Sequence, residues 1–147
     1  MHDPFAMRPF FGYNFGDYLK HWLKLGADPK HKTPKIFHVN WFRTDDDDKF
    51  LWPGFCENVR VLDWIMKRIE DQDVAQDCAI GRIPKEGTLN LDGLGEINTK
   101  ELFKLTPEFL NSECEELEKY FKEQVNKDLP DEMWEELRKL KERSNSM

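Results

Sequence analysis

The chain has 147 residues with a net charge of −7, and 35% of them are charged against 39% hydrophobic. That length suits one domain with a real core and is too short for two comfortable ones. The acidic balance argues against a surface made for nucleic-acid backbone, where affinity comes from neutralised phosphates, and no apolar run nears the ~20 residues needed to span a bilayer. Nothing resembles a signal peptide. Cys56, Cys78 and Cys114 are odd in number and widely spaced. They fit reduced thiols of a cytosolic or matrix compartment better than a disulfide framework or a zinc site.

The aromatics carry the promise of a core, because each large ring buries far more area than an average side chain. Most fall at or before Trp64. The natural division is therefore an aromatic part over 1–70 and a charge-rich, mostly helical part over 71–147. Phe5, Phe10, Phe11, Tyr13 and Phe15 crowd the start. They are too apolar for a frayed terminus, and predict either a covering partner or, the favoured case, a preceding part of the same protein.

In chain order, Asn14 caps a helix with Phe15, Tyr18, Leu19 and Trp22 on one face, stopped at Gly26. A Pro/Lys loop follows. Ile36 to Phe42 alternates as a strand, with Phe37, Val39 and Trp41 on one face and His38, Asn40 and Phe42 on the other. The acidic turn Asp45–Asp48 leads to Phe50, Leu51 and Trp52 and the Pro53-Gly54 break. Asn58 is placed to cap a helix whose buried stripe is Leu62, Ile65 and Ile69. Short extended pieces are expected at Ile80 to Ile83 and Leu89 to Leu91.

Asn98 with Glu101 has the form of a capping box, and Thr106-Pro107 opens a long helix bearing Leu110, Cys114, Leu117, Phe121 and Val125. Pro130 breaks it, and a last helix turns Met133, Leu137 and Leu140 inward. The fold class is α+β: a helix-rich part of a larger α/β domain, with a small sheet carrying the loop described next.

That loop is Asn40 to Asn58, NWFRTDDDDKFLWPGFCEN. Phe42, Phe50 and Phe55 flank a turn and a Pro-Gly break, with Trp41 and Trp52 interleaved. Two opposed rings hold a purine by both faces at about 1–3 kcal/mol per base, with little regard to which base. Discrimination then needs a polar group at the base edge, and an Asn amide carries both a donor and an acceptor. By spacing alone the same rings fit a packed core, with Asn58 as a plain helix cap. Elsewhere the chemistry is thin. Four consecutive acids at Asp45–Asp48 point in divergent directions and make a solvated turn rather than a cation site. His2, His21, His31 and His38 show no ligand spacing.

The segments HDPFAMRPFFGYNFGDYLKHWL at 2–23, KIFHVNWF at 35–42, KFLWPGF at 49–55, ENVRVLDW at 57–64 and IPKEGTLNLDGLG at 83–95 resemble the C-terminal part of GTP-dependent phosphoenolpyruvate carboxykinases. They stand in the family's order, so the likeness spans essentially all 147 residues. The resemblance implies that Phe42 and Phe55 sandwich guanine, that Phe50 closes the pocket, that Asn58 contacts the base edge and that Trp41 lines it. Phe10 matches a Phe beside the phosphoenolpyruvate and oxaloacetate pocket. Family members turn oxaloacetate and GTP into phosphoenolpyruvate, GDP and CO2 for gluconeogenesis, with Mn2+ or Mg2+, and the intact enzyme is a cytoplasmic or mitochondrial monomer.

The phosphate loop, its lysine, the metal ligands and the lid are expected in a preceding part of the enzyme. No GxxxxGK[ST] stretch occurs here, so this chain alone is expected to be inactive. One departure stands out. Cys56 occupies a position where the family has Gly, and added bulk or lost positive-φ freedom would reshape the pocket wall. The competing expectation, from another class, is an autonomous interaction module whose exposed rings hold a Pro-rich or helical partner.

Overall fold

The computed structural model describes residues 7–147, so Phe5 and His2 lie outside the described residues. The element order is helical with one hairpin, an α+β arrangement as expected: α1 (Phe15–Ala27), α2 (Asn58–Ile69), β1 (Ala75–Cys78), β2 (Gly81–Pro84), α3 (Thr99–Leu102), α4 (Pro107–Tyr120) and α5 (Asp131–Asn145). Contacts divide the chain into two compact units. A terminal unit joins the described residues up to Pro34 with Leu105–Met147, and a central unit is Lys35–Lys104. The aromatic/helical boundary at residue 70 follows composition. The contacts cut the chain elsewhere, because Phe15 and Leu19 find their partners a hundred residues away.

In the terminal unit, Asn14 Oδ1 accepts from the Gly16 amide at 2.7 Å and starts α1 as the sequence predicts. Phe15 and Leu19 are buried against Cys114, Phe121, Val125, Leu129 and Leu137. Thr106 Oγ1 accepts from the Phe109 amide and opens α4, whose end widens into one π turn, Phe121–Val125. Leu110, Cys114, Phe121 and Val125 are all buried, as their spacing predicts. Ser144 is also buried and donates to Asn111 Oδ1 at 3.0 Å, joining α5 to α4. Burial pushes the Cys114 thiol above its usual pKa, which makes it an inert core side chain.

Glu118 bridges the same two helices. Its carboxylate accepts from Lys122 at 2.5 Å and from Lys141 of α5, and these bonds draw its pKa down to about 2. The folded value lies below the usual 4.5, so the stabilisation is complete above that pH and disappears as pH falls toward 2. Titration of the Glu118 side chain by NMR should give a midpoint near 2, and Glu118→Gln should flatten the acid limb of the stability curve below pH 4.5.

The central unit is organised around three buried side chains, Trp52, Trp64 and Leu89, with Phe37, Trp41, Val61, Ile65 and Val74 against them. Expectations fail here at three places: the 36–42 segment, the stripe of α2, and Leu89 to Leu91. Ile36 to Phe42 is not a strand; the sheet is the antiparallel hairpin β1–β2, with Ala75 opposite Pro84 and Cys78 opposite Gly81. Among the described residues the segment has no neighbouring strand to pair with. It is held instead by Phe37 and Trp41 in the core and by Lys35, whose ammonium donates to the Arg68 carbonyl and to Asp71 at the end of α2.

The second failure is the stripe of α2. Its inward residues are Val61, Trp64 and Ile65, while Leu62 and Ile69 are exposed along with Val59 and Met66. The indole decides the helix rotation. Trp64 is the largest side chain of α2, and its Nε1–H donates to the Val74 carbonyl at 2.9 Å. Of the two expected extended pieces, Ile80 to Ile83 overlaps β2, which runs Gly81–Pro84, and Leu89 to Leu91 is loop.

Candidate functional site

The 40–58 segment is built from tight turns rather than from a strand. Asn40 Oδ1 accepts from the Phe42 amide at 3.0 Å and bends the chain just before that ring. Thr44 and Phe50 then pair in a single antiparallel bridge. The acids between them close it: Asp45 Oδ1 accepts from the amides of Asp47 and Lys49, each at 2.9 Å, and Asp48 takes a positive φ of 59°. Asp45 therefore spends its carboxylate on the backbone. Among the described residues no group of three His, Cys, Asp or Glu side chains gathers as metal ligands, so no step through a metal ion is assigned to them.

This closure sets Phe42 and Phe50 edge-on, with ring centroids 6.2 Å apart and an interplanar angle of 61°. Arg43 fastens the turn from behind. Its guanidinium donates to the Leu102 carbonyl at 3.0 Å and to that of Lys104, at the end of α3. The Leu51 amide returns to the Arg43 carbonyl at 2.9 Å.

Beyond Trp52 the chain turns at Pro53-Gly54, where Gly54 adopts a φ of 117° open to glycine and strained for any other residue. Residues Phe55–Glu57 then wind a 3-10 turn straight into α2. Arg60 secures that turn, with its Nε donating to Glu57 at 2.6 Å and its Nη atoms to the carbonyls of Asn90 and Asp92 at 3.0 Å each. Cys56 lies within the 3-10 turn, exposed, and is not among the positive-φ residues. Its position therefore needs no glycine, and the conformational concern falls away.

The three phenylalanines face solvent: Phe42 is 74% exposed, Phe50 65% and Phe55 89%. They are not core of this unit. Trp41 is half-buried and packs on the Trp52–Trp64–Leu89 cluster, supporting the site from below. Asn58 is not the N-cap of α2. It is the first residue of α2, already helical, and no side-chain bond caps the helix. Its Oδ1 accepts from the Nε1–H of buried Trp52 at 2.9 Å. The 3-10 turn feeding directly into α2 removes the need for a cap and frees the amide for this bond.

Phe10 ends a 3-10 turn in the terminal unit and is 78% exposed. A shallow hollow along α5, lined by Trp134 and Arg138 among acids, includes none of the predicted base-binding side chains. Sequence reasoning did not foresee the Trp52–Asn58 bond or the Arg43 and Arg60 anchors. Apart from Glu57, three residues before Arg60, their partners are carbonyls and an amide brought together by folding, and no residue type at a fixed spacing announces those.

The chain matches the family described as "Phosphoenolpyruvate carboxykinase C-terminal P-loop domain" over residues 1–143. It is 54% identical over 147 residues to the mitochondrial GTP-dependent phosphoenolpyruvate carboxykinase of Mus musculus, covering all of this chain and 23% of that relative. The cytosolic enzyme of Bos taurus is also 54% identical over 147 residues, with 24% of its length covered, and the GTP-dependent phosphoenolpyruvate carboxykinase of Ascaris suum is 51% identical over 148 residues, with 23% covered. The chain thus spans about a quarter of the length of the curated relatives it matches. Among the described residues no helix is long and apolar enough to cross a membrane. With a family match over nearly its whole length, the chain belongs to the GTP-dependent phosphoenolpyruvate carboxykinase family.

Proposed function

We propose that residues 40–58 form the surface that holds the guanine base of GTP or GDP, as one part of an enzyme converting oxaloacetate and GTP to phosphoenolpyruvate, GDP and CO2. The observation that carries this reading is the exposure of Phe42, Phe50 and Phe55 on turns fixed by Asp45, Arg43 and Arg60. Three large apolar rings held in water on rigid backbone are pre-organised for a flat ligand, so little ordering entropy is spent on binding. Phe42 and Phe55 take the base faces and Phe50 closes one side. Asn58 reads the edge, with Trp41 beneath. The nucleotide phosphates, and the Mn2+ or Mg2+ that the reaction uses, belong to groups outside this chain. So does the remainder of the enzyme, which is the chain's partner in an active monomer, either cytoplasmic or mitochondrial. Phe10 is assigned to the oxaloacetate side.

Stacking contributes about 1–3 kcal/mol per base, and ~4 kcal/mol corresponds to ~1 mM, so the chain alone should bind no tighter than the millimolar range. Titration with GTP, GDP and guanosine should therefore quench tryptophan emission with similar midpoints, because the phosphates add nothing here. Purified chain supplied with GTP, oxaloacetate and Mn2+ should show no turnover. Absence of any quenching at tens of millimolar, together with capture of a Pro-rich peptide, would instead favour the interaction-module reading.

A further inference from the structure

We propose that Trp52 sets the base choice of this site by fixing which end of the Asn58 amide faces the ligand. The inference rests on the base-binding assignment above and adds a positioning residue to it. An indole Nε1–H only donates, so the Asn58 atom 2.9 Å away must be the oxygen. Trp52 is 4% exposed and packed with Trp64 and Leu89, so it can neither turn away nor hand its proton to water. Flipping the amide would set N–H against N–H and leave a buried donor unpaired, a penalty of about 5- to 150-fold in the population of that conformer.

The orientation is therefore held, and the Nδ2 amino group is the end left over. Among the described residues nothing accepts from it. Asn58 thus presents a donor, not its usual choice of donor or acceptor. A purine with a 6-oxo group offers it an acceptor. A purine with a 6-amino group offers a second donor, which leaves both unpaired.

GTP and ITP share the 6-oxo edge and should both be favoured over ATP by this contact. Stacking alone would treat all three alike. The test is NMR titration of the 147-residue chain and of Trp52→Phe with GTP, ITP and ATP. Phe keeps most of the buried ring and removes the N–H, which lets the amide turn over and accept from a 6-amino group. The GTP-to-ATP preference should fall about tenfold in the variant, mainly by gain of ATP affinity. A merely structural role for Trp52 would lower all three affinities together.

An unchanged preference in a folded variant overturns the inference while leaving the base site intact. If the unaltered chain binds no nucleotide, the base-site assignment fails and this inference with it. Should Trp52→Phe not fold, the unaltered chain still decides. The Trp52 indole proton must keep its NOE to Asn58 with GTP bound, and the Asn58 amide protons must move further downfield with GTP and ITP than with ATP, by the hydrogen bond that stacking alone does not supply. Loss of that NOE on GTP binding overturns the proposal.

Discussion

Phe55→Ala and Phe42→Ala should each weaken guanine-nucleotide binding about 5- to 150-fold, the equivalent of the 1–3 kcal/mol lost with one stacking face. The same substitutions should barely touch stability. Both rings are mostly in solvent, and exposed substitutions usually stay within about 0.5 kcal/mol, or roughly 2–4 °C in Tm for a unit of this size. That pairing of effects separates a ligand surface from a core. A buried phenylalanine cut to alanine costs about 3–5 kcal/mol and would melt the central unit before affinity could be read. Fluorescence or NMR titration alongside a thermal melt gives both numbers, and a large Tm loss with binding kept would return these rings to the core. In the assembled enzyme, oxaloacetate affinity should be nearly unaffected, since nothing assigns either ring to that substrate.

Gly16→Ala should destabilise the terminal unit by about 1–3 kcal/mol, although alanine is the better helix former by ~1 kcal/mol. The sign is decided by space. A Cβ at position 16 would lie 2.2 Å from the Asp128 carbonyl oxygen and 2.5 Å from its carbon. The obstacle is backbone, and it sits in the short turn that precedes Leu129, a buried core residue, so it cannot step aside cheaply. Glycine here serves close approach rather than unusual dihedral angles. A melt read by circular dichroism should show a lower Tm, by several degrees for each kcal/mol at this size. A higher Tm would mean that helix propensity wins and that α1 sits farther from Asp128 than the structure has it.

Much of the terminal unit was legible in the sequence. Asn14 and Thr106 each cap the helix they precede, as Asn98 does in the central unit, because an N-cap is a local bond between a side chain and an amide two or three residues on. The stripe Leu110, Cys114, Phe121, Val125 was legible for a related reason: one face of that helix is apolar and the other charged, so only one rotation buries oil. On α2 both faces carry aliphatics, and periodicity cannot choose. Trp64 chose, through its size and its bond to Val74, and left Leu62 and Ile69 outside.

The 36–42 segment misled for a like reason. Alternation marks residues able to form a strand, yet a strand exists only where a partner edge exists, and the partner is supplied by the fold. At the candidate site, the aromatic residues and Asn58 were identified from the sequence and from the family its segments resemble. That the rings stand in solvent while Trp41 and Trp52 go inside is a matter of which side chains the turns at Asp45 and Gly54 aim at the Trp64–Leu89 cluster. That Asn58 offers a donor rather than a cap depends on a buried indole six residues earlier, brought to 2.9 Å by the Pro-Gly turn between them. Sequence settled residue types, the caps at Asn14, Asn98 and Thr106, and family membership, which depend on neighbours along the chain. Tertiary structure settled which face is buried and which end of an amide is free, because those depend on groups that meet only when the chain folds.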